Sequence, residues 1–388
     1  MMIALNLAPN NRHVLRSAAR LFLHTNDPER ALAIIARNSA TKTDPWLIAS
    51  EISLAQVADR ASRFLKAGSL MLSDASSPPR QITELAGAIA TEELVHGNRR
   101  KARRSFTQSL ADPTGSSLAQ GEWATSALGG ELVSESSLDS TFENAEAKAF
   151  HLFRTGQLAH VPGACIQWAE NDPFSVRPFE FGAVTAGHIE DFEVAVRFAQ
   201  RGLELRPTLP SLLNVMAFAA ASLNRTEEAA AAMAKFKAAD ATRVQQLVAA
   251  ANKGLIAYRN GDGAGGRASY SEAIEGFRRD GEHELAARAK IYLAREAMLA
   301  KTNDWQELLK EAQEAAGKFK DSEIIPILRR VEKGAEERRS KSQSEKTPII
   351  KAEKSPVVSV RVSFSPAQLS LPLTQADGKI AGRPKVAL

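Results

Sequence analysis

The stretch Phe192-Glu-Val-Ala-Val-Arg-Phe-Ala-Gln-Arg-Gly-Leu-Glu-Leu-Arg-Pro207 decides the fold, because its punctuation recurs along the chain. Pro207 follows Pro173 by 34 residues, and Pro45, Pro79 and Pro113 are also 34 apart. A fixed period of this size marks a repeat architecture. Ten residues after a proline comes a small residue, at Ala19, Ala55, Ala183 and Ala217. Twenty-two residues after it alanine returns, at Ala31, Ala67, Ala195 and Ala229. Ile35, Met71, Ala199 or Met233 follows four residues later. The unit at Pro79 carries the pattern one residue late, at Ala90, Ala102 and Phe106.

The physical object with this pattern is a helical hairpin. A small residue on the first helix lets the second cross closely, and the later, bulkier residue fills the gap before the next unit. Proline closes the hairpin, since it has no amide to donate and its ring clashes with the preceding turn. Asn26-Asp27-Pro28-Glu29 supplies a helix cap and a first-turn proline, and Asn224-Arg225-Thr226-Glu227-Glu228 a turn, a cap and first-turn acids.

Composition agrees. Alanine accounts for 66 of the 388 residues and aromatic residues for 6%, which favours helix over strand. The apolar fraction of 44% is enough for a large core. The single cysteine, Cys165, excludes an intramolecular disulfide framework and a multi-cysteine zinc site. No basic, apolar leader opens the chain, and the apolar run Val215–Leu223 is less than half of the ~20 residues of a membrane span. The expected location is cytoplasmic, with no membrane contact.

The repeats resemble the tetratricopeptide repeat (TPR) family. Asn11-Arg-His-Val-Leu-Arg-Ser-Ala-Ala-Arg-Leu-Phe22 with Pro28-Glu-Arg-Ala-Leu32 carries the resemblance, as does Phe192–Pro207 with the unit after it. It covers residues 3–241 clearly and 242–335 as degenerate hairpins. The family's aromatic positions are mostly replaced by Ala, Leu or Met. The resemblance implies an all-α fold, a right-handed superhelical α-solenoid of stacked hairpins, serving as a non-catalytic scaffold for protein partners.

Five segments are expected. Residues 1–113 hold TPR-like repeats, the first incomplete: either a partner, a second copy or coding sequence upstream of the assigned start completes the apolar end at Ile3, Leu5 and Leu7, or this short segment frays. Residues 114–173 form an irregular insertion and a degenerate repeat: Thr114–Ser117 and Gly129–Ser140 read as polar loop, and 144–172 as a hairpin. Residues 174–241 hold further repeats. Residues 242–339 hold degenerate hairpins and a capping helix, and 340–388 form a disordered, basic, Ser/Pro-rich tail.

Four candidate sites emerge. His13, Arg16, Arg20 and His24 share one helix face. In the family resembled, first helices line a concave groove for partner peptides, so Arg16 and Arg20 could fork onto partner carboxylates. The family's Lys and Asn carboxylate clamp is not reproduced here. Arg99, Arg100, Lys101, Arg103 and Arg104 form a possible contact for phosphate or an acidic partner, without aromatic residues for single-strand stacking. This supports an alternative function, an accessory subunit of a nucleic-acid-acting complex. In the tail, Val358, Val360, Val362 and Phe364 alternate with polar residues at strand period and could add to a partner's sheet. Gly382-Arg-Pro-Lys385 resembles the core of an AT-hook.

Net charge sharpens the alternative. Residues 329–388 carry 13 Lys/Arg and 6 Asp/Glu, whereas the remaining 328 carry 37 and 39. The body is nearly neutral and the basic character sits in the tail. No cofactor or metal site is expected: the histidines lack zinc-helix spacing, and Gly261–Ser269 lacks the Gly-Lys-[Ser/Thr] ending of a phosphate loop.

Overall fold

A computed structural model of the chain describes residues 1–344, apart from 75–76, 142–143 and 320–323. The tail segment with Val358, Val360, Val362 and Phe364, and Gly382–Lys385, lies outside the described residues. Among the described residues all regular structure is helical, so the all-α reading holds. No described helix is long and apolar enough to cross a membrane.

The helices fall into two compact units dividing at Ile189/Glu190. Unit 1 contains α1 (Met2–Leu7), α2 (Arg12–His24), α3 (Pro28–Ala36), α4 (Pro45–Val57), α5 (Leu65–Ser73) and α6 (Pro79–Val95). It continues with α7 (Arg99–Ser109), α8 (Gly115–Leu128), α9 (Glu135–Ser140), α10 (Ala145–Arg154), α11 (Val161–Asn171) and α12 (Arg177–His188). Unit 2 contains α13 (Phe192–Leu205), α14 (Pro210–Ser222), α15 (Thr226–Lys235), α16 (Arg243–Arg259), α17 (Gly263–Arg279), α18 (His283–Leu299), α19 (Trp305–Ala316) and α20 (Ile324–Ser344).

Within each unit successive helices pair as antiparallel hairpins: α2/α3, α6/α7 and α10/α11 in the first, α14/α15, α16/α17 and α18/α19 in the second. One turn design recurs. A residue with positive φ ends the first helix: Asn26, Gly97 and Gly156 in unit 1, Asn224, Gly261 and Lys301 in unit 2; Gly281 makes the same turn between the α16/α17 and α18/α19 hairpins. The next amide then returns to a carbonyl of the last turn, as Asp27 N does to Phe22 O at 2.8 Å and Arg225 N to Ala220 O at 2.8 Å. This motif satisfies carbonyls that the helix end leaves open and reverses the chain in two or three residues.

The alanine pattern is the packing pattern. Ala19, Ala31, Ala55, Ala90, Ala102, Ala183, Ala195, Ala217 and Ala229 are all buried. Ala67 is the exception: in α5 the buried position is Gly68, where a Cβ would stand 2.9 Å from Leu85 Cδ1. The prolines also act differently from expectation at two junctions. Pro45 and Pro79 open the following helices, where a missing amide costs nothing.

Three other expectations are corrected. Thr114–Ser117 is not loop: Thr114 and Ser117 form a reciprocal cap, and α8 buries Leu118, Ala119, Ala124 and Leu128. The small polar residues that suggested a loop are the cap itself. At the other end, α20 passes the expected boundary at 339 and runs to Ser344. In the 224–228 turn, Thr226 is the first helical residue, and Arg225 at the cap position makes no side-chain cap.

Candidate functional site

In unit 1 the first helices α2, α4, α6, α8 and α10 stand side by side and line a cleft of ≈ 640 Å³. His13, Arg16 and Arg20 open onto it, with Ser17, from one face of α2. The spacing that grouped these residues therefore reflects a shared surface. Trp46, Arg80 and Glu84, Thr114–Ser116, Glu146, and Trp168, Asn171 and Asp172 complete most of the wall.

The arginines are not free. Arg16 reaches Glu84 at 3.4 Å and its guanidinium lies over Trp46, 4.9 Å from the ring centroid. Thr114 Oγ1 donates to the other Glu84 oxygen at 2.8 Å. Arg20 meets Asp172 at 2.9 Å, and His24 Nε2 lies 3.2 Å from the same carboxylate. Behind two other lining residues, Arg177, which does not itself line the cleft, pairs with Glu146 at 2.5 Å and lies over Trp168. Two arginines are thus each stacked on a tryptophan and paired with a mostly buried glutamate. Ring contact and pairing together restrain both guanidiniums, a group suited to planar anionic partners.

Burial and charge work in opposite senses on two of the carboxylates. Burial alone would raise Asp172, but His24 and the Arg20 charge outweigh it and hold the group below the ordinary aspartate value. Glu146 goes the other way: burial raises it, and Arg177 and Arg20 offset only part of the effect. The cleft lining contains Arg16, Arg20 and Arg80 against Glu84, Asp112, Glu146 and Asp172. It is a balanced polar surface, not a basic clamp.

The basic cluster lies elsewhere. Arg99, Arg100, Lys101, Arg103 and Arg104 are exposed on α7, the second helix of its hairpin, while Ala102 and Phe106 face the core. None of the five lines the cleft.

Sequence reasoning missed a buried network beneath α8 and α10. Glu122, fully buried, accepts from Arg154 Nε at 2.8 Å and lies 2.9 Å from His151 Nδ1. A carboxylate so placed needs both partners, since an unpaired buried charge is costly. The network ties α8 to α10, and on its outer side Arg154 and His151 each lie 3.9 Å from an exposed carboxylate, Glu131 and Glu135. Glu122 carried no signal, because its helix read as an insertion. Cys165 is buried, and burial pushes its thiol up to about 12, which removes it as a nucleophile at neutral pH. Among the described residues no group of three or more His, Cys, Asp or Glu side chains is placed to hold a metal.

No family model matches the chain, and no curated protein matches it. Among solved structures it is similar to one described as the crystal structure of the APC/C hetero-tetramer Cut9-Hcn1. That match is 10% identical, covers 84% of this chain and 91% of the other, and has a TM-score of 0.23.

Proposed function

We propose that the chain is a non-catalytic scaffold and that the unit 1 cleft receives a segment of a protein partner. The observation that carries this reading is Arg16, held over Trp46 and facing an open cleft of ≈ 640 Å³ beside Arg20, with Trp168 and Glu146 also in the wall. Rigid guanidiniums spend little side-chain entropy on binding, so they are suited to hold a partner rather than to perform chemistry. Because Glu84 and Asp172 already occupy Arg16 and Arg20, a partner enters by exchange. Its carboxylates replace those of the cleft, and its cations meet the carboxylates released. The favoured partner segment is polar and carries both signs of charge.

Selection of random peptides on the full chain tests this. Enriched peptides should lose at least tenfold in affinity when re-measured on an R16A/R20A variant. Peptides that bind the variant as tightly as the wild type would remove the cleft from the proposal.

A further inference from the structure

The outer face of α7 is electrostatically frustrated. A helix N-terminus carries partial positive charge and favours acidic residues in its first turn. Here the first turn has no acidic residue, and Arg99, Arg100 and Lys101 occupy it instead. Asn98 at the cap position makes no cap with its side chain, which donates to Glu93 at 2.7 Å.

Two of the five cations have local work. Arg103 donates to the carbonyls of Leu128 and Gly129 at 3.0 and 2.6 Å, closing the end of α8. Lys101 reaches Glu93 at 3.8 Å. Arg99, Arg100 and Arg104 pair with no carboxylate among the described residues. Nothing in the fold needs these three charges, and a local preference broken without compensation points to a use outside the fold.

We infer that this face of α7 docks on the phosphate backbone of duplex DNA without reading its sequence. Protein interfaces are centred on apolar or aromatic anchors, and none of the exposed large apolar side chains of the described residues lies on α7. The face offers cations alone, which matches a backbone contact driven by counterion release. Single strands require aromatic stacking platforms, and these are missing here too. Double-stranded RNA is gripped across two minor grooves over ~16 base pairs, whereas residues 99–104 extend only about 9 Å along their helix.

The test is the salt dependence of full-chain binding to a random-sequence DNA duplex, compared with R99A/R100A/R104A. The tail is present in both proteins, so the difference isolates α7. Each phosphate contact contributes about 0.9 to the slope of log K against log salt. The triple variant should therefore have a slope shallower by about 2.7, and bind about tenfold or more weakly at low salt. R99K/R100K/R104K, which keeps the charge, should retain the wild-type slope, and both variants should keep the wild-type circular dichroism. Four results would each overturn the inference: no binding by the wild type at 50 mM salt, an unchanged slope in the alanine variant, equal affinity for duplex RNA, or poly-glutamate binding as tight as DNA.

Discussion

Units 1 and 2 are built from the same hairpin and the same left-handed turn, yet they treat the row of first helices in opposite ways. In unit 1 the row surrounds open space, and its charged side chains lie along the wall. In unit 2 the row of α14, α16, α18 and α20 is filled by its own side chains. Phe218 of α14 meets Tyr292 of α18 edge to face, at 5.1 Å, across the intervening α16. Arg295 lies over Tyr292 and pairs with Glu296, Arg259 reaches Glu296 at 2.6 Å, and Arg330 reaches Glu190 at 2.8 Å. The difference teaches that the repeat sets the backbone, while a few large side chains decide whether the space it encloses stays open.

The comparison predicts unequal costs for equal chemistry. Glu296 is 1% exposed and holds two arginines that are 15% and 12% exposed. E296A should cost about 3–5 kcal/mol, because it strands buried charge. Glu84 plays the same part in the open cleft, but its partner Arg16 is 22% exposed and can be rehydrated, so E84A should cost only about 1 kcal/mol. Urea unfolding of both variants checks this, and equal losses would break the contrast.

A second test bears on the close packing in unit 2. A Cβ on Gly266 would stand 2.4 Å from the Tyr258 ring and 2.9 Å from the Gly254 carbonyl oxygen. G266A should cost about 1–3 kcal/mol by overpacking, seen as a lower thermal midpoint. A neutral result would show that α16 and α17 can separate.

The third concerns pH in unit 1. The folded-state Asp172 value lies below its unfolded value, near 3.8. Its contribution is therefore present above about pH 4 and is lost as pH falls through 3.8 toward the lowered folded value. The stability difference between wild type and D172N should be about 1 kcal/mol at pH 6 and shrink toward pH 3. Glu146, raised in the fold, contributes with the opposite sign. A D172N difference that grows on acidification would contradict the assignment of Asp172.

The smallest effect separates stability from recruitment within unit 1. R99E/R100E restores acidic residues to the first turn of α7 and should stabilise the chain by roughly 0.5–1 kcal/mol, measured by thermal unfolding at low salt. A loss of stability would mean that these arginines serve the fold after all.

Much of this was legible in the residues. The 34-residue proline period and the buried alanines follow from local geometry: a helix crossing tolerates only a small side chain, so the crossing must appear in sequence. The common face of His13, Arg16 and Arg20 follows from helical periodicity in the same way. What occupies them does not. Arg20 and Asp172 are 152 positions apart, Arg16 and Glu84 are 68, and no local rule joins them. Helix α8 was hidden because serine and threonine serve both loops and caps, and only the reciprocal Thr114–Ser117 bonds separate the two cases.

The sequence by itself determined the all-helical hairpins and most of the small residues buried at their crossings, because each depends on residues within one or two helical turns. The tertiary structure alone decided that one row of helices encloses a cleft and the other fills it. It also decided that the cleft arginines are already paired, and that Arg99, Arg100 and Arg104 are not. Charge pairing and enclosed space depend on which side chains the packing of non-adjacent helices brings together, as with Arg20 and Asp172, and no local rule in the sequence fixes that packing.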